Sequence, residues 1–167
     1  MKAADVVDRA RSAVGQGCRY VLGKGGFSPA APHPWSSQGD CDCSGFVSWC
    51  LGISRHTDNP WYASYNGGWV ETTAIVRDAS GPYGFFDAVD WKAAAPGMLI
   101  VYGDHVVDGV RRQGHVGIVS AVDQTGPFRA VHCSKGNDTK TGDAIRETDV
   151  QVWIKGGGIV ARCALVE

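Results

Sequence analysis

The side chains able to do chemistry in this chain are six cysteines and five histidines, and one cysteine stands apart by its setting. Asp40-Cys41-Asp42-Cys43-Ser44-Gly45 leads into Phe46, Val47, Cys50 and Leu51, whose spacing predicts one face of a short amphipathic helix that Gly52 stops. Cys43 then lies in the first turn, where unpaired backbone N–H groups and partial positive charge favour a thiolate, and Asp42 or Asp40 is the type of residue that caps them. The helix contributes about 0.3–1 kcal/mol, at most about 2, against about 1.4 kcal/mol per pKa unit. From an ordinary value near 8.5, that leaves the sulfur largely protonated, or at most about half ionised, at neutral pH. Nucleophilic chemistry therefore requires an imidazole beside it.

Of the histidines, His33, His56 and His105 fall in polar loops. His115 opens an apolar segment after Gly114, and His132 ends the next one, the two being joined by Asp123-Gln124-Thr125-Gly126-Pro127 as in a β-hairpin. If even-numbered residues of one strand face odd-numbered residues of the other, both imidazoles share a face; the opposite parity separates them. A helix-start cysteine followed by two strand histidines suits a Cys/His pair with an orienting third group. Cys41-x-Cys43 with His132 and Cys133 offers a zinc alternative, although one intervening residue is tighter than the usual spacing. Cys50 and Cys163 sit in apolar patterns and read as buried thiols.

The elements that must position these groups follow the hydrophobic pattern. Residues 3–14 predict a helix, with Asp5 early and Arg9 and Arg11 late, ended by Gly15 and Gly17. Residues 27–39, with Pro29, Pro32 and Pro34, predict a loop in which His33 and Trp35 are candidates for a cleft wall. Residues 53–68 are turn-rich and aromatic, with Asn59-Pro60 and Asn66-Gly67-Gly68 as breakers. A helix is expected over 70–78, an irregular stretch to 95, and a buried strand over 98–102. Residues 104–113 read as a loop or small hairpin. Strands follow over 115–122 and 128–133, and a closing hairpin pairs 150–154 with 159–166 around Gly156-Gly157-Gly158.

A chain of 167 residues with 44% hydrophobic and 20% charged residues suits one domain, residues 1–167, with its own core. The net charge of −1 provides no electrostatic reason to expect nucleic acid. No apolar run is long enough to span a bilayer. Met1 to Arg11 lacks the apolar core of a secretory signal, so export is expected by another route if the protein leaves the cytoplasm.

Asp42-Cys43-Ser44-Gly45-Phe46-Val47, then Gly114-His115-Val116-Gly117-Ile118-Val119, then Val131-His132, resemble in that order the NlpC family of bacterial cell-wall cysteine peptidases, of the papain-like superfamily. Tyr20-Val21-Leu22-Gly23 is similar to that family's Tyr-x-x-Gly segment. Pro96-Gly97-Met98-Leu99-Ile100 resembles its Pro-Gly-Asp-Leu strand, with Met98 in place of the acidic residue. The blocks span about Arg9 to Cys133, and the inserts at 27–39 and 53–95 are long for the family.

The resemblance implies an α+β, papain-like fold, with N-terminal helices and the nucleophile helix packed on a central antiparallel β-sheet. It implies Cys43 as nucleophile, His115 as base and acid, His132 as the orienting group, Tyr20 at the oxyanion, and Asp42 and Ser44 at the substrate. No metal or cofactor is implied. The expected substrate is the peptidoglycan stem peptide, cut between D-glutamate and diaminopimelate; a muramoyl–alanine amidase, or an acyltransferase or small-molecule amidase with the same machinery, is the alternative. The expected setting is a monomeric phage lysin or secreted toxin effector, made in the cytoplasm, acting on the cell wall, and with an immunity or inhibitor protein as a possible partner.

Overall fold

The computed structural model describes residues 1–81 and 83–167. In chain order the elements are α1 (Ala3–Ser12), β1 (Arg19–Tyr20), β2 (Asp40–Cys41), α2 (Cys43–Cys50), α3 (Pro60–Asn66), α4 (Thr72–Ala79), β3 (Phe86–Val89), a 3-10 turn (Trp91–Ala93) and β4 (Leu99–Tyr102). They continue as β5 (His105–Val107), β6 (Val110–Arg112), β7 (His115–Asp123), β8 (Gly126–Cys133), α5 (Lys135–Thr141), β9 (Ile145–Asp149), α6 (Gln151–Lys155) and β10 (Ile159–Cys163). Six strands form one antiparallel sheet in the order β3-β10-β4-β7-β8-β9. This is an α+β architecture. None of the described helices is long and apolar enough to cross a membrane.

The sheet has two covered faces because its strands alternate apolar residues on both sides. Leu99, Val101, Val116, Ile118, Val131 and Cys133 face α1, α2 and α4 in the larger core. Ile100, Val119 and Ala130 face Trp153 of α6 in a smaller one, with Trp91 and Tyr102 at its margin. The β7–β8 register opposes Ile118 to Val131 and Val119 to Ala130, so even faces odd and His115 and His132 share a face. That face is the one Trp153 covers.

α2 starts where the sequence places it, but it is not amphipathic: all eight of its residues are buried. The loop of residues 27–39 lies over its outer side, Trp49 donating its indole N–H to Ala31 O at 2.8 Å, while the Arg9 guanidinium stacks on the same indole at 4.1 Å. Backbone meets backbone at the helix start. A Cβ added to Gly45 would stand 2.6 Å from Lys24 O and 2.8 Å from Gly25 O.

Several expectations are corrected. Residues 150–154 do not form a strand; α6 occupies them, and β10 pairs instead with β3 and β4. Asn59-Pro60 does not break structure but starts α3, the Asn59 side chain accepting from Trp61 and Tyr62 N–H with proline at the first turn. The stretch expected to be irregular up to Ala95 contains β3, an edge strand too short to show a period. α5 and β9 fill the region from 135 to 149, where no element was expected.

Gly45 separates two effects of opposite sign. On helix propensity alone, Gly45→Ala would gain about 1 kcal/mol; the backbone contacts at 2.6 and 2.8 Å put it among overpacking changes that cost about 1–3 kcal/mol. We expect a net loss of up to about 2 kcal/mol by urea denaturation, and a variant about 1 kcal/mol more stable than wild type would show that the loop does not press on the helix.

Candidate active site

The start of α2 is held by one carboxylate. Asp42 Oδ1 accepts from Gly45 N–H at 2.8 Å, while Oδ2 accepts from Gly23 N–H at 2.6 Å and from the Arg55 guanidinium at 3.0 Å. Arg55 also donates to Lys24 O at 2.7 Å, and both side chains of this ion pair are nearly fully buried. Helix start, Tyr20–Gly26 loop and the segment after α2 are thereby tied at one point. Arg55 had no signal in the sequence, since its partner lies thirteen residues away across a turn-rich stretch.

The sulfur of Cys43 faces the backbone N–H of Val116 and the hydroxyls of Ser44 and Tyr20. Val116 adjoins His115. α2 covers the Val116 face of the sheet and the imidazoles occupy the other, so the thiol and the rings lie on opposite faces, His115 at the end where β7 begins. Two clefts meet there. One, of about 240 Å³, is lined among others by Cys43, Ser44, Asp42, Arg55 and Trp69. The other, of about 600 Å³, is lined by His115, His132, Tyr102, Asn137 and Thr148 among others. Tyr20, Gln113 and Gly114 line both.

The imidazoles form a directed chain. His115 Nε2 lies 2.7 Å from His132 Nδ1, and His132 Nε2 lies 2.9 Å from Thr148 Oγ1. With the Thr148 hydroxyl donating to Asp149 O at 3.0 Å, Oγ1 accepts from His132 in the tautomer that carries the proton on Nε2, the nitrogen that Asn137 Nδ2 also approaches at 3.4 Å. His132 Nδ1 then carries a lone pair and accepts from His115 Nε2–H. The lone pair of His115 is left on Nδ1, the tautomer a general base needs.

Trp153 supports the pair from below, stacked on His115 at 5.0 Å and 21° and edge-on to His132 at 5.0 Å. Gly117 makes room for it: a Cβ there would meet the indole at 2.9 Å and His132 Cβ at 3.1 Å. The second glycine of Gly114-His115-Val116-Gly117 is thus a space requirement.

Burial dominates the electrostatics. It pushes the Cys43 thiol up to about 12, with the Asp42 charge adding to the rise and the Val116 N–H and Ser44 opposing it. Burial, then the neighbouring His132, holds His115 well below its ordinary value. Burial lowers His132 to about 4, against the pull of Asp149. A helix start worth at most about 2 kcal/mol does not overcome this desolvation. Burial thus favours a neutral thiol and two neutral imidazoles in the resting site.

Of the residues expected at the site, Cys43, Tyr20, Asp42 and Ser44 gather in one cleft and His115 and His132 in the adjoining one. His33 and Trp35 do not wall either; they stack on each other at 4.6 Å beside a separate small cavity. His56 packs edge-on to Trp69, and His105 lies with Nδ1 3.2 Å from Gly103 O. The zinc alternative fails on strand geometry, because His132 and Cys133 are consecutive and point to opposite faces. Among the described residues no group of three or more His, Cys, Asp or Glu is arranged to hold a metal ion. Trp153, Thr148 and Arg55 are additions that the sequence did not single out.

Compared with known proteins, the chain matches no protein-family model and no curated protein sequence.

Two pH dependences follow. Because the folded value of His132 lies near 4, below its ordinary 6.5, the unfolded chain takes up the proton first. Stability is full above about pH 6.5 and falls as pH drops toward 4, by about 3 kcal/mol from this group, with His115 acting in the same direction. Chemical denaturation between pH 4 and 7 should show that slope, and His132→Asn should flatten it. Because Cys43 is raised, its alkylation by iodoacetamide should climb steadily from pH 7 to 10. A rate already constant above pH 5 would mean a resting thiolate–imidazolium pair instead.

Proposed function

We propose that this protein is a papain-like cysteine peptidase of the bacterial cell wall, cutting an amide bond of the peptidoglycan stem peptide, with D-glutamyl–diaminopimelate as the bond cleaved. The observation that carries the reading is the His115–His132–Thr148 chain, which leaves the base nitrogen of His115 unengaged at the end of the sheet where Cys43 meets Val116 N–H. The ordered resemblance of Asp42-Cys43-Ser44-Gly45 and Gly114-His115-Val116-Gly117 to NlpC peptidases supplies the substrate class.

In this reaction the stem peptide lies along the two joined clefts, its acyl side by Ser44 and Asp42 and its leaving amine toward His115. The proton of Cys43 passes to His115 Nδ1 as sulfur bonds to the carbonyl carbon, so no free thiolate accumulates in the dry site. The imidazolium formed donates through Nε2 to His132 Nδ1, and His132 is held by Thr148. Tyr20 Oη–H and the free N–H of Cys43 donate to the carbonyl oxygen as it becomes an oxyanion. His115 then protonates the departing amine, leaving a thioester. Water, deprotonated by His115, attacks it; the carboxylate departs and the proton returns to sulfur. Delivery from the cytoplasm to the wall, as a phage lysin or secreted toxin, is the setting in which this activity would work.

The test is digestion of purified sacculi followed by mass spectrometry of the soluble fragments. Wild type should release fragments whose masses place the cut after D-glutamate, and Cys43→Ala should release none. Tyr20→Phe should retain binding but lose roughly 100-fold or more in kcat, the usual cost of one oxyanion donor. Fragments cut at the lactyl–alanine bond would instead make the protein an amidase. Intact sacculi with rapid turnover of small thioesters or amides would move it to the acyltransferase and small-molecule amidase class.

A further inference from the structure

Behind the site lies a group of thiols that the mechanism does not use. Cys18, Cys41 and Cys133 are all buried in the larger core. Cys18 precedes the strand of Tyr20 by one residue, Cys41 lies two before Cys43, and Cys133 follows His132, so each lies within two residues of a site residue. The backbone links the three segments. Tyr20 pairs with Cys41 in β1–β2, and Cys18 O accepts from Ala144 N–H at 2.7 Å. Ala144 O accepts in turn from Ser134 N–H at 2.9 Å, next to Cys133. The Cys133 sulfur lies 3.4 Å from Cys41 O, and Cys18 and Cys41 are its neighbouring thiols. All three are free, as are the other cysteines.

We propose that Cys133 is the common partner of a single disulfide, made with either Cys18 or Cys41, that forms when the protein meets a small-molecule disulfide in an oxidising compartment. Two S–H bonds break and one S–S bond forms; the two electrons and two protons reduce one glutathione disulfide to two glutathiones by successive exchange. One of the three thiols is left reduced, since Cys133 bonds only once. The bond would link the strand of His132 to the segment entering Tyr20 or Cys43, closing a loop of most of the chain. Cross-links of that reach restrict the unfolded chain strongly, and the folded chain already brings the Cys133 sulfur to 3.4 Å from the Cys41 carbonyl. Burial, together with the two neighbouring thiols, pushes Cys133 well above its ordinary value, so in the native state oxidation waits on local opening and proceeds faster during folding.

The experiment uses the Cys43→Ala protein, which removes the site thiol as a competing target. It is incubated with glutathione disulfide both folded and during refolding from urea, quenched by alkylation, and read by intact mass and by peptide mapping. The expected result is loss of two hydrogens, a cross-linked peptide containing Cys133 with Cys18 or Cys41, and a thermal midpoint raised by roughly 10 °C. Cys50→Ala and Cys163→Ala should behave alike, whereas Cys133→Ala should lose both the cross-link and the shift. If Cys133→Ala does not fold, the Cys18→Ala/Cys41→Ala double variant supplies the same comparison. Five free thiols after both treatments, or a cross-link that omits Cys133, would overturn the proposal.

Discussion

The structure around Cys43 depends on the Asp42 carboxylate, which is buried and fully occupied. Two oxygens serve three donors from three parts of the chain: the helix it caps, the loop after Tyr20, and Arg55. An isolated buried carboxylate would be costly, so the presence of Arg55 is what allows a charged cap here. Buried ion pairs are modest stabilisers as a whole but costly to break, by about 3–5 kcal/mol when one partner goes. Their use is positional. With Asp42 anchored, Tyr20 and the first turn of α2 have fixed places relative to each other, and Gly45 lets the intervening loop press directly on the helix.

The anchoring has an electrostatic consequence that runs against nucleophilicity. A carboxylate one residue from Cys43 in a dry environment raises the thiol, and so does the burial itself. Ser44 and the Val116 N–H counter only part of it. A site built this way favours a neutral thiol, and its strength lies in arrangement: Thr148 and Asn137 both reach His132 Nε2, and Trp153 packs flat against one ring and edge-on to the other.

Much of the site was readable from local pattern. A capped helix start with cysteine in its first turn follows from residue types within a dozen positions, and the hairpin joining His115 to His132 follows from two apolar runs and a turn. The shared face needed the register, which Ile118–Val131 pairing settles and turn chemistry alone does not. What stayed hidden were partners distant in sequence. Val150 to Ile154 is as β-branched and aromatic as any strand, and only the packing of Trp153 against Gly117 and the imidazoles makes a helix of it; tertiary contact overrides such propensities readily. Arg55, in a run of turn residues, gave no pattern at all. Asn59-Pro60 misled for a simpler reason, since the same pair that ends one element also starts another.

The two faces of the sheet explain why the site needs both ends of the chain. A cysteine on α2 belongs to the face packed by the N-terminal helices; imidazoles at 115 and 132 belong to the face that α6 covers. Were both groups deep within the sheet, the strand layer would separate them. They are not: His115 is the first residue of β7, opposite Tyr102 at the end of β4, and Cys43 is the first residue of α2. Each lies at a terminus, where the sheet ends and the two clefts adjoin across Tyr20, Gln113 and Gly114. A histidine two residues further along β7, at the position of Gly117, would face Trp153 inside the sheet rather than the opening. For the proposed reaction, the placement of His115 at the strand's start is therefore as much a requirement as its identity.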